Sequence, residues 1–474
     1  QEINMRHTII EKKVEPELWT NPVPVHPEEI PVLGKEDYEG RMARLWEMPQ
    51  AEGYDTIVIY GDREHFSNVD YFTGYDARWE ETLLILPRHG RPGILVGNEG
   101  IGYVKKVPVE IDVEFFQTFS LMGQPDDRSP RLKEILEKRV VYEGGKIGVI
   151  GFKAYGPSRH TIGGLITDVP HYMIETLCQV VPRECLENAT LLMADCQYGL
   201  KHCVSAKEIV IFEVAGTRIS RGVLNCLRNL KPGMRELEAS RFCQFDGSPA
   251  NMHPNINFGE KNVALGLNSP TEWEQLEYGM PIGVGYGLRG SLVHKCGMYL
   301  RDRNDLPAEK SGYIDGFLVP YFDNVASWHE MMRIGTSCGD IYEMVDRELG
   351  LGKFGCTLNP GHLTHTDEWT NSPFVKGGQV KVASGMAFQC DYTVTCHDPF
   401  MSAHVEDGLI VAGEGLRKEV AALSPGCWER IQKRRDFIIR ELGIQLPEEV
   451  LPLSDLSCVC FPYMADLGTV LACG

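Results

Sequence analysis

No run of about 18 or more apolar residues, the length a membrane-crossing helix needs, occurs in the 474-residue chain. Its first residues, "QEINMRHTIIEKK", hold no apolar core of signal-peptide length, so a cytoplasmic protein is expected. Cysteine is not rare, but the 15 thiols form no CxxC pair and no framework of close spacings. Zinc ribbons and disulfide scaffolds are therefore unsupported, and reduced thiols fit best. Positive charge is short: 47 Lys and Arg face 66 Asp and Glu, a net charge of -19. Such a balance repels phosphate backbones and anionic membranes, so neither nucleic acid nor membrane is expected as a partner. One basic stretch stands out, "RIQKRRDF" from Arg430 to Phe437. With Trp428, Ile431, Ile438 and Leu442 on one side it reads as a solvated helix face. Repeats and low-complexity tracts are absent, and the glycines of "GYGLRGSLVHKCG" lack the strand-to-helix setting of a phosphate loop.

What is present is ordinary globular material, 43% hydrophobic and 24% charged, in a chain long enough for two domains. After the Pro-rich leader Asn21 to Gly34, "YDTIVIYG" and "GKIGVIGF" read as buried strands and "TLLILPRHGRPGILVG" as a hairpin, with "DYFTGYD" as a turn. Strands alternating with helical patterns predict an α/β layer domain. Near Gly199 the texture changes. "SAKEIVIFEVAGTRISRGVLNCL" puts Ile209, Phe212, Ile219 and Val223 at helical spacing. Helices through "GYIDGFLVPYFDNVASWHEMM" and "DIYEMVDREL" follow, then the strand-like runs "GQVKVASGMAFQCDYTV" and "HVEDGLIVAG". The histidines of "NPGHLTHTDEW", His362 and His365, precede an acidic pair, Asp367 and Glu368. Cys296 and Cys390 lie on apolar strands and read as core packing, not as nucleophiles.

Taken in order, "RMARLWEMPQAEGYDTIVIYGDREHFSNVDYFTGYD", "SAKEIVIFEVAGTRIS", "GHLTHTDEW", "SGMAFQCDYTV" and "HVEDGLIVAG" resemble the creatinase/aminopeptidase P/prolidase group of the pita-bread superfamily. The resemblance implies an α/β N-terminal creatinase-like domain, residues 1–203, and an α+β pita-bread C-terminal domain, residues 204–474. It also implies a homodimer in which one subunit's N-terminal domain helps to close the other's site, acting on a small-molecule substrate.

In that group the active site is a two-metal centre of Asp, Asp, His, Glu and Glu. Here Gly285 stands where the first Asp is expected and Cys296 or Gly297 where the second is, with Cys296 or His294 as replacement ligands if the hairpin bends inward. His362 takes the histidine place, Asp391 replaces the first Glu and Glu406 matches the second. A substrate-contacting histidine is replaced by Leu267. A standard two-metal centre is not expected. His362, Asp391 and Glu406 make a two-oxygen, one-nitrogen set for a single Mn, Fe or Zn ion, or for none. The metal-dependent lyases of the superfamily carry an Asp-Glu-Trp after their metal histidine, which makes Asp367 the candidate base. His362, His365, Asp367, Asp391 and Glu406 are thus the candidate catalytic residues. The first reading is a non-peptidase hydrolase or lyase acting on a small amino-acid-derived or guanidino substrate by acid/base chemistry. A pocket kept for binding alone, or an Xaa-Pro aminopeptidase or prolidase, are the alternatives.

Overall fold

The computed structural model describes residues 5–156 and 164–474. The chain divides into two compact units, Val32–Lys201 and Gln1–Pro31 with His202–Gly474. The expected division at 203/204 falls beside this seam, but the leader is placed differently. Strand Ile9–Lys13 pairs antiparallel with Thr469–Cys473, near the end of the chain, so the first 31 residues join the C-terminal unit.

Unit Val32–Lys201 is built on a six-stranded mixed sheet in the order Asp112–Phe115, Gly93–Val96, Thr82–Pro87, Tyr54–Gly61, Lys146–Ile150, Leu186–Asn188. Side chains alternate across a strand. Ile57 and Ile59 therefore join Leu84, Leu86 and Ile94 in one core, while Val58 and Tyr60 join Leu83, Ile85 and Leu95 in another. Burial on both faces is why "YDTIVIYG" reads as a continuous apolar run and not as an alternating one. The expected turn "DYFTGYD" is instead the end of helix Ser67–Thr73, stopped by Gly74 in the left-handed conformation at φ 67°.

In the larger unit the long helix Ala206–Asn229 opens with a capping box, Ser205 and Glu208 each satisfying the other's backbone N–H. Ile209, Val210 and Phe212 pack it on Ala387, Ile410 and Leu451, residues of the antiparallel sheet ordered His362–Leu363, Ala387–Gln389, Gly408–Val411, Val450–Pro452. A second antiparallel sheet has the order Val394–His397, Phe400–Glu406, Ser291–Met298, Pro281–Leu288, Ala250–Phe258. Among the described residues no helix is long and apolar enough to cross a membrane.

A buried charge cluster holds the long helix in place. Glu213, fully buried, accepts from Arg430 Nη2 at 2.7 Å and from Arg434 Nη1 at 2.7 Å. Arg434 also donates to Asp455 at 2.8 Å, and Arg221 to the other oxygen of Asp455 at 2.9 Å. The expectation of a solvated face for "RIQKRRDF" is thus corrected at Arg430 and Arg434, which are 2% and 1% exposed. Their acidic partners lie too far away in sequence to be paired with them by spacing. Glu213→Ala leaves two guanidinium groups buried without their shared carboxylate, and a loss of about 3–5 kcal/mol is expected, read by denaturant unfolding. A loss below about 1 kcal/mol would mean the cluster is worth no more than a surface ion pair.

Candidate metal and acid/base centre

Gly361, at φ +106°, makes a turn that a side chain would obstruct, because a Cβ there would sit 2.7 Å from the Gln389 carbonyl. The Gly361 N–H donates to the Asp391 carbonyl at 3.0 Å, and His362 then pairs with Gln389. This short ladder brings His362 beside Asp391. Glu406 ends the strand Phe400–Glu406 opposite His294, and Glu368 closes the group from the loop after His365.

Donor atoms of His362, Glu368, Asp391 and Glu406 all lie within 4.8 Å of one another. The His362 Nδ1 faces the Leu363 carbonyl at 3.1 Å, an acceptor only, so Nδ1 carries the proton and the neutral ring keeps its lone pair on Nε2. Nε2 is buried and has no hydrogen bond of good geometry, although Glu368 Oε1 is 2.9 Å away and Asp391 Oδ2 3.4 Å. A lone pair facing two carboxylates is unfavourable unless a proton or a cation lies between them. Trp369 stacks on the imidazole at 4.0 Å and 22°, fixing the ring plane.

A second chain of contacts runs through His404, whose Nε2 lies 2.9 Å from Asp391 Oδ1 and whose Nδ1 lies 2.9 Å from His294 Nδ1. One Nδ1 must donate and the other accept. With His404 neutral and donating to Asp391, His294 donates to His404 and turns its own lone pair, on Nε2, toward Gly283. Burial and the neighbouring His404 push His294 down to about 3. Burial works upward on Asp391, but the hydrogen bond with His404 and the nearby His362 ring hold it well below the usual carboxylate range. Glu406 is pushed well above that range by burial and by the charges of Asp391 and Glu368. For His362 burial works downward, but the Glu368 and Asp391 carboxylates lift it to about 10.

The donor set fits one divalent ion. Its one imidazole nitrogen and three carboxylates are within 4.8 Å of one another, and the carboxylates would offset the charge of such an ion. A second ion finds no carboxylates on the hairpin. The His294 ring fills that space: a Cβ on Gly285 would meet the His294 Cα and Cδ2 at 2.7 Å, and one on Gly283 its Nε2 at 3.1 Å. Cys296 faces the same cavity, and without an ion burial pushes its thiol up to about 11. A Cβ on Gly297 would meet Met464 and Tyr313 instead.

Three of the five residues singled out in the sequence, His362, Asp391 and Glu406, come together. His365 and Asp367 do not join them. His365 Nε2 contacts Glu208 Oε1 at 2.9 Å, at the start of the long helix, and its ring meets Phe212 edge-on. The Asp367 carboxylate accepts from the Thr370 hydroxyl at 3.4 Å. Neither lines the cavity of about 380 Å³ that Glu368, Asp391, His404, Glu406 and His294 border. Leu267 sits at its rim, 72% exposed. Glu368 and His404 were missed. His404 carries a readable signal, since it stands two residues before Glu406 on one strand and must share its face. For Glu368, adjacent to Asp367 in a loop, no periodicity selects the inward residue.

The protonated state of His362 gives a pH test. In chelator-treated protein its folded value of about 10 lies above the ordinary 6.5, so its contribution to stability is complete below pH 6.5 and is lost as pH rises toward 10. Denaturant unfolding of His362→Gln is expected to fall less steeply with pH than wild type between neutrality and pH 9. Parallel profiles would contradict the assignment.

No protein-family model matches the sequence, and no curated protein matches it. Solved structures do match in fold. A prolidase from Pyrococcus horikoshii OT3 aligns over 79% of this chain and 95% of its own, with a TM-score of 0.58 at 15% identity. Dipeptidase PepE from Mycobacterium ulcerans aligns over 81% and 95%, with a TM-score of 0.59 at 16% identity. An X-Pro aminopeptidase from Thermotoga maritima MSB8 aligns over 79% and 95%, with a TM-score of 0.58 at 12% identity. The chain therefore has the pita-bread fold of the creatinase/aminopeptidase P/prolidase group.

Proposed function

We propose that the protein is a hydrolase of a peptide-type C–N bond in a small substrate, assisted by one divalent ion. The observation that carries this reading is the buried His362 Nε2, aimed without a hydrogen bond between Glu368 and Asp391, with Glu406 completing the donor set on the wall of a cavity of about 380 Å³. The sequence favours a non-peptide substrate. The fold likeness to structures described as a prolidase, a dipeptidase and an X-Pro aminopeptidase moves the reading toward the Xaa-Pro bond.

His362, Glu368, Asp391 and Glu406 would hold a divalent ion, which would supply Lewis acidity toward a carbonyl oxygen. The protein's own groups do the rest. Asp391 orients His404 through Nε2, His404 fixes the tautomer of His294, and a neutral His294 presents Nε2 at the cavity wall as a hydrogen-bond acceptor. Stacked on His362, Trp369 keeps the Nε2 direction fixed.

A second reading, acid/base hydrolysis without metal on a guanidino substrate, has its own observation. His362 lifted to about 10 is an imidazolium next to a carboxyl, Glu406, whose pKa is pushed up by burial and by the Asp391 and Glu368 charges. The two readings separate in one assay. With added manganese, cobalt or zinc, glycyl-proline or glycyl-prolinamide is cleaved and chelator abolishes turnover. His362→Ala and Glu406→Gln each lose about 100-fold or more with an unchanged circular dichroism spectrum. Turnover of creatine or another guanidino compound in chelator would favour the second reading, and no turnover of either class would leave a binding protein.

A further inference from the structure

The cavity wall formed by the five-stranded sheet carries chemistry that the ion-binding group does not use. Strand register sets two cross-strand rows on one face: Asn255, Gly285, His294 and Glu406, then Asn257, Gly283, Cys296 and His404. The Asn255 amide is occupied, donating to the Gly266 carbonyl. Asn257 is different. It is 1% exposed, it lines the cavity, and neither Oδ1 nor Nδ2 has a hydrogen-bond partner. Exchanging the amide oxygen and nitrogen changes nothing, because both are unmatched. Buried amides are normally satisfied, so this one is destabilising unless a ligand completes it.

The rest of the wall defines that ligand. Glu368, Asp391 and Glu406 line the cavity, and no lysine or arginine does among the described residues. An anion is therefore opposed by like charge and meets no guanidinium or ammonium. A carboxamide pairs best with a group that has a donor beside an acceptor, which is an uncharged amide. Met252, Val263 and Leu292 suit an apolar body beside that amide.

We propose that Asn257 is a specificity-determining residue of this cavity: its carboxamide pairs with an uncharged amide of the substrate, so amide-terminated ligands are taken in preference to carboxylate-terminated ones. The proposal rests on the reading of the site as an amide-hydrolysing centre, and its test separates the two. In the manganese-loaded full chain, Asn257→Leu is expected to show a Tm equal to or above wild type, because it removes an unmatched polar group of similar size. Its KM for glycyl-prolinamide rises about tenfold or more with kcat changed far less. Wild type prefers glycyl-prolinamide to glycyl-proline in kcat/KM, and Asn257→Asp widens that preference. A Tm below wild type in Asn257→Leu would show a structural role and overturn the proposal, as would an equal KM or a preference for the free carboxylate. If wild type cleaves neither compound the hydrolase reading fails, and Asn257 is then judged by thermal shift alone. Stabilisation of wild type by glycyl-prolinamide that is lost in Asn257→Leu supports it, whereas no shift, or an equal shift in both, overturns it.

Discussion

Three carboxylates crowd one imidazole nitrogen in a largely dehydrated space, and the centre is arranged around that conflict. Glu368, Asp391 and Glu406 cannot all stay ionised beside a neutral His362 without a compensating positive charge. With a proton as the only cation, the positive charge settles on His362 while the pKa of Glu406 is driven up. A divalent ion resolves the same conflict with every carboxylate ionised. Both solutions require His362 Nε2 to point where it does, and the Leu363 carbonyl at Nδ1 and the Trp369 ring hold it there.

Strand alternation keeps this charge apart from the other buried ions. His294 and Cys296 face the cavity, whereas Lys295 between them faces the opposite way and pairs with Asp407 at 2.5 Å, both 2% exposed. Asp407 directly follows Glu406, yet it is paired to a lysine and does not add an unmatched charge to the cavity. The Glu213, Arg430, Arg434 and Asp455 cluster is likewise matched within itself. The unmatched polar atoms that border the cavity, on His294 and Asn257, are the ones available to a ligand.

Much of this was legible in the sequence where one residue type had one structural meaning. The apolar run "YDTIVIYG" marked a strand buried on both faces, and the spacing from Ile209 to Val223 marked the long helix. The order of "GHLTH", "GMAFQCD" and "HVEDG" located His362, Asp391 and Glu406. Legibility ended where the deciding partner was remote. Arg430 and Arg434 look like solvated charges until Glu213 is seen between them. Asp367 and Glu368 are interchangeable by pattern, and only the turn after His365 decides that Glu368 faces inward. Gly285, with Cys296 or Gly297, shows that two carboxylates are missing, but not that the His294 ring takes up the space beside Gly285.

The central claim, that His362, Glu368, Asp391 and Glu406 hold one ion, is tested most directly by metal content per chain. Inductively coupled plasma mass spectrometry is run on protein purified without chelator or immobilised nickel. The account predicts one equivalent of a divalent transition metal in wild type, lost in Glu368→Ala. Two equivalents, or none in wild type, would contradict it.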